Sequence, residues 1–212
     1  ASWTLRDSLY GTAARVTTGA VLSVIDAVTD IYVIVKYYKS GTLKLQANIL
    51  VVMISTNAAI QILLILLNNR KKGFGGRVKD VLVSLFFLRP AVDAYRVSTN
   101  FEEPGAILDS FAMLVANKGI ELATESIPGC VLQVYVVITN PRDGGGMGPL
   151  ASILINALTT GFASAMIAYD FDVSVTHRKR QPDYYGYVPD DNKLRGRCFA
   201  LMMVINALHN LS

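Results

Sequence analysis

Val16 to Tyr38 reads VTTGAVLSVIDAVTDIYVIVKYY, a run long and apolar enough to span a bilayer that nevertheless carries Asp26 and Asp30 near its middle. Their four-residue spacing puts both carboxylates on one helix face, one turn apart, with Ser23 and Gly19 continuing that face towards the N-terminus. An aspartate near the bilayer centre costs roughly 2.5–3.5 kcal/mol on insertion scales, so the pair is expected to face protein, water or a polar path rather than lipid tails.

The rest of the chain supports a membrane reading. Of 212 residues, 52% are hydrophobic and only 17% charged, which is too apolar for an ordinary soluble domain of this length. The net charge of +4 is not a nucleic-acid signature, because the basic residues are grouped between apolar runs, where they orient the protein and touch anionic headgroups. The chain opens at Ala1 and stops at Ser212 inside an apolar run, and is expected to be a single transmembrane helical domain, residues 1–212, from a longer polypeptide. Val16 to Tyr38 is longer than a signal-peptide core and lacks a small-residue cleavage site after it, so it reads as a signal anchor.

Working outward, Ala1 to Arg15 is a polar lead-in, and Gly41 ends the first span. Leu45 to Leu67 is the second, with Asn48 and Ser55 in one row and Asn57, Gln61 and Asn68 in another. Amides in such rows commonly join helices. Arg70, Lys71, Lys72, Arg77 and Lys79 then surround a Gly73 to Gly76 loop, the strongest basic cluster of the sequence, placed in the cytoplasm.

Val81 to Val97 has an apolar centre but is studded with Asp80, Arg89, Pro90, Asp93 and Arg96, and is short for a crossing. FEEPG, residues 101–105, is read as the cap of a helical stretch from Ala106 to Thr139, on which Ser110, Asn117, Glu121 and Glu125 fall near one face. Pro128 and Gly129 are expected to kink or break that stretch. A glycine-rich loop leads to a small-residue helix, Leu150 to Tyr169. After a polar segment that includes Arg178 to Arg197, Cys198 to Ser212 begins a sixth span.

If every apolar run crossed once, the Arg70–Lys79 cluster and the Arg178–Arg197 loop would lie on opposite sides, against the positive-inside bias. An even number of crossings between them removes the conflict. Either Val81 to Val97 does not cross, the option preferred here, or Ala106 to Thr139 doubles back at Pro128; broken helices at membrane depth need protein or a polar cavity around them. The expected fold is therefore all-α and polytopic, with about five to six membrane helices and at least one broken or re-entrant element, in the plasma membrane or an endomembrane.

The intramembrane polar candidates are Asp26, Asp30, Glu121, Glu125, Lys118, Arg89 and Asp93, with Gln133 and Asn156 as neutral partners. One reading joins them into a hydrophilic stripe along which a lipid headgroup slides while its tails stay in hydrocarbon. That process needs no ATP site. The plainer reading pairs them off as buried ions that fix helix register, the better account of a pair such as Lys118 with Glu121. Asp26 and Asp30 need a cation from another helix, Arg89 or Lys118 being the nearest offers, or one of the two must stay protonated. A route for ions or protons is the rival functional reading, and a non-catalytic membrane scaffold the third.

Other signals carry less. Trp3, Tyr37, Tyr38, Tyr184, Tyr185 and Tyr187 sit at span ends and read as interfacial belt residues. His177 and His209 are isolated, and Cys130 and Cys198 lack metal spacing, so no metal is expected; a disulfide between the two is left open. No GxSxG, HExxH, Walker or Rossmann pattern occurs, so neither enzyme chemistry nor a cofactor is expected.

Several stretches, in order, resemble the XK-related family of membrane lipid scramblases. SVIDAVTDIYVIVKYYKSG is similar to that family's opening helix, with Asp26 and Asp30 on its D-x-x-x-D pair. ELATESIPGCVLQVYVVI resembles its E-x-x-P-Q-L-x-L-Q segment, with Glu125 on the acid and Pro128 on the proline, although Gly129 stands where that family has Gln. The small-residue helix ending in MIAYDFD, a basic loop and a further span follow in the same order. HRKRQPDYYGYVPDD has no counterpart there, so the likeness is that of a distant relative. It implies a helical bundle with re-entrant elements and ATP-independent phospholipid scrambling, with Asp26, Asp30 and Glu125 along the route and membrane phospholipids as partners. A membrane-protein partner or a homo-oligomer is left open.

Overall fold

A computed structural model describes residues 9–71, 73–86, 88–99, 101, 106–173, 179, 181–189 and 191–211. These form helices α1 (Leu9–Ser40), α2 (Lys44–Asn68), α3 (Phe74–Leu85), α4 (Arg89–Ser98), α5 (Ser110–Glu121), α6 (Ile127–Thr139), α7 (Met147–Val173) and α8 (Asn192–Leu211), with a π-helical turn, Leu122–Ser126, joining α5 to α6. No strand occurs among the described residues. Trp3, His177, Arg178, Lys72 and residues 102–105 of the expected FEEPG cap lie outside them.

Among the described residues, four helical runs are long and apolar enough to cross a membrane: Ala13–Ser40, Lys44–Asn68, Ser110–Thr139 and Met147–Val173. Their burial is inverted relative to a protein in water. On α1 the buried face holds Ser23, Asp26 and Asp30 while Val24, Val28 and Val35 are exposed; on α2 Asn57, Gln61 and Asn68 point inward while Val52 and Leu63 point out. Polar groups gathered inside an apolar exterior are what a hydrocarbon solvent selects. This is an integral, multi-pass membrane protein.

Side-chain contacts fix the directions of the spans. Arg15 pairs with Asp170 at 2.7 Å and Lys36 Nζ donates to the Gly145 carbonyl at 2.6 Å, so α1 and α7 run antiparallel over their full length. Ser23 Oγ donates to Glu121 at 3.0 Å and Gln133 Nε2 to Asp30 at 2.9 Å, so α1 and the α5–α6 span run parallel. The Leu108 N–H donates to Asn68 Oδ1 at 2.7 Å, and Asn57 donates to Glu125, so α2 opposes α5–α6. The C-terminal end of α2, residues 106–109, the C-terminal end of α7 and the N-terminal end of α8 therefore lie at one end of the bundle. The α1–α2 and α6–α7 turns share the other, tied by a 2.7 Å hydrogen bond from Thr42 Oγ1 to Asp143.

The expected short element, Val81 to Val97, is a helical hairpin rather than one helix. At 1.5 Å per residue, the 12 residues of α3 and the 10 of α4 reach only about 15–18 Å, well short of the roughly 30 Å hydrocarbon core. α3 leaves the end of α2 near Leu66 and runs inward until Ser84 reaches the level of Asn57 and Gln61. α4 returns along α1, packing Ala94 and Val97 against Val16 and Ala20, and Arg96 comes back to within 3.5 Å of Asp80. Both ends of the hairpin thus sit at the end of the bundle from which it enters. Gly73 to Gly76, expected as a loop, is helical from Phe74 onward, the Arg77 N–H donating to the Gly73 carbonyl at 3.2 Å; packing on α2 offsets the low helix propensity of glycine.

Two boundaries move because of caps. α5 starts at Ser110, not Ala106, since Asp109 accepts the Ala112 N–H at 2.6 Å; α8 starts at Asn192, not Cys198, since Asp191 accepts the Lys193 and Leu194 N–H groups at 3.0 Å each. α8 lies antiparallel on α7: Phe199 stacks edge-on between Phe162 and Tyr169, and Gly161 faces Met203 and Ala207. Gly161 is required there, because a Cβ would sit 2.5 Å from the Met203 carbonyl oxygen. α8 is not one of the four runs that satisfy length and hydropathy for a span.

Candidate functional site: a polar track through the bundle

The interior polar groups follow one another along the axis, each level set by an element already described. Beside the hairpin tip, Arg89 Nη2 lies 2.9 Å from Asp93 within one turn of α4, and Asn117 of α5 donates to the same carboxylate at 2.7 Å. Next comes Lys118, whose Nζ donates to Glu121 at 2.9 Å and to Ser23 Oγ of α1. Ser23 Oγ can donate onward to Glu121 or to the Gly19 carbonyl, both at 3.0 Å. One turn deeper are Asp26, Asn57, Gln61 and Glu125. Gln61 Nε2 donates to Asn57 Oδ1 at 2.8 Å, and Asn57 Nδ2 donates to Glu125. Deeper again, Asp30 accepts from Gln133 Nε2 at 2.9 Å and from Ser152 Oγ at 3.5 Å.

At the middle level, Asp26, Glu121, Glu125 and Arg89 line a single pocket with Ser23, Asn57, Gln61 and Ser84. Its volume of about 40 Å³ has room for a small number of waters. Half-buried Ala27, Ile54, Ala58 and Pro90 also line it, so it reaches the flank of the bundle where α1, α2 and the hairpin tip meet.

Glu125 owes its place to the π turn. The Ile127 N–H donates to the Leu122 carbonyl, five residues back, and Pro128, which has no N–H to give, follows at the first turn of α6. A proline ring collides with the carbonyl four residues earlier in a regular α-helix, and the wider turn relieves that collision. Helical geometry continues through Pro128 and Gly129, so the disturbance expected at the pair lies one turn earlier, at Glu125 itself. Gly129 is buried, in ordinary contact range of Asn156 and Leu50.

Neither cation expected to serve the aspartate pair does so: Arg89 is taken by Asp93 and Lys118 by Glu121, the pairing of the plainer reading. Asp30 and Glu125 are instead held by amides and a hydroxyl, and Asp26 Oδ1 has no hydrogen-bond partner among the described residues, as is true of Gln133 Oε1 and Asn156 Nδ2. Three buried carboxyls without an ion-pair partner are thus strung beside two closed ion pairs. Among the described residues no three His, Cys, Asp or Glu side chains gather as metal ligands.

All eight residues singled out from the sequence lie on this track, and Asn156 lies beside it. The participants missed were Asn57, Gln61 and Ser152, read as helix glue or small-residue packing; the i, i+4 spacing of Asn57 and Gln61 in a span was the available signal. Tyr37, expected in the interfacial belt, is fully buried in a core of Val33, Leu43, Leu50 and Val136. Cys130 and Cys198 are both free thiols. Comparison with protein-family models, curated proteins and solved structures found no match to this chain.

Proposed function

We propose that the protein equilibrates phospholipids between leaflets without an energy source, passing the headgroup along the polar track while the acyl chains stay in lipid. The observation that carries this reading is the middle pocket, which Asp26 and Glu125 line without ion-pair partners among the described residues and whose lining extends to the flank of the bundle. Polar and ionisable groups at each level lower the cost of carrying a charged headgroup through hydrocarbon. The resemblance of the first span and of the ELATESIPGCVLQ segment to XK-related scramblases supports the same residues and the same role.

In this reading the α3–α4 hairpin is a re-entrant element, α8 is a fifth membrane helix, and the end carrying Arg70 to Lys79 and Arg195 faces the cytoplasm. The positive-inside bias supports that orientation, since two crossings, α5–α6 and α7, separate the two basic segments. A second reading, conduction or coupling of cations or protons, is favoured by the excess of interior carboxyls over cations.

Purified protein in liposomes containing a fluorescent lipid, with dithionite added outside, separates the readings. Scrambling makes the protected half of the signal accessible. A protected signal that stays constant with folded protein contradicts it, and an ion flux under those conditions selects the second reading.

A further inference from the structure

Outside the track, a groove of about 350 Å³ lies between the end of α2 and α3, lined by Leu66, Phe74, Arg77, Val78, Val81 and Leu82. We propose that this groove holds an acyl chain of an acidic phospholipid whose phosphate is bound by Arg70, Lys71, Arg77 and Lys79. α3 is inverted for a lipid setting, with Asp80 and Ser84 buried and Phe74, Val78 and Leu82 exposed, Phe74 at 84%. The apolar wall of the groove therefore stands in the membrane.

Its mouth is basic. Arg77 lines the groove and donates to the Arg70 carbonyl, which holds it beside the segment bearing Arg70 and Lys71, and Lys79 is exposed two residues further along α3. Asp80, the one acid in the sequence from Asn69 to Leu85, is buried, accepting from Asn69 Nδ2 at 2.9 Å and lying 3.5 Å from Arg96. Gly73 and Gly75 face open space, so the segment is uncovered among the described residues. Basic residues flanking an apolar slot at a membrane surface match an anionic headgroup carrying hydrocarbon chains, and each such charge contributes about fivefold in binding. A neutral lipid fits the slot but not its mouth. The inference rests on the membrane setting and is independent of whether lipids move through the track.

Native mass spectrometry of the full chain with equal phosphatidylserine and phosphatidylcholine tests it. The parent is expected to retain phosphatidylserine preferentially. Arg70→Gln with Lys71→Gln and Lys79→Gln should cut that retention about tenfold or more while leaving phosphatidylcholine unchanged. Arg70→Lys with Lys71→Arg and Lys79→Arg should keep it. The proposal is overturned if the parent shows no preference, if the neutral variant retains phosphatidylserine as the parent does, if both lipids are lost together, or if soluble glycerophosphoserine binds as tightly as the lipid.

Discussion

Lys118 and Glu121 show how one buried ion pair is tested apart from the route it borders. Lys118→Met leaves Glu121 charged and unpaired in the bundle, a change that costs about 3–5 kcal/mol in buried pairs, whereas Lys118→Met with Glu121→Leu should return close to the parent. Thermal unfolding in detergent checks this: a large drop for the single variant and recovery for the double. Equal drops in both would mean that packing, not charge, decides the site. That pairing was legible in the sequence from the i, i+3 spacing alone. The partners of Asp30 and Glu125 were not, because an amide on a distant helix leaves no local trace, and Asn57 becomes a partner of Glu125 only after α2 and α5–α6 pack antiparallel.

Helix termini and contacts respond to different physics from the spans themselves. Gly161→Ala places a methyl 2.5 Å from the Met203 carbonyl oxygen and 2.8 Å from Ala207 Cβ, both on α8, so α7 and α8 must separate. Overpacking of this kind costs about 1–3 kcal/mol, and the unfolding midpoint should fall accordingly; an unchanged midpoint would show that α8 is held elsewhere. Hydrophobic runs disclosed the four spans to within a few residues, since length and hydropathy are written locally. Cap residues Asp109 and Asp191 were overlooked, which shortened α8 and lengthened α5. The hairpin was foreseen only as a short element unable to cross, although Pro90, in the first turn of α4, was a local signal for the break between Leu85 and Arg89.

For the whole molecule, the antiparallel order of the spans puts Arg70 and Lys71 at the same end of the bundle as Lys193 and Arg195. With Cys130 and Cys198 replaced by Ala, single cysteines at Lys71 and Lys193 should react with an impermeant maleimide from one side of the membrane and those at Lys39 and Asp143 from the other. Labelling of Lys71→Cys and Lys193→Cys from opposite sides would contradict the bundle. The track runs inside this architecture from Arg89 to Asp30, and the account depends on its carboxyls acting together. The most direct measurement is the rate of dithionite-accessible lipid exchange for parent and for Asp26→Asn with Asp30→Asn, both folded and reconstituted at equal density. The account predicts slower exchange in the variant; equal rates would remove these two aspartates from the route and with them the central claim.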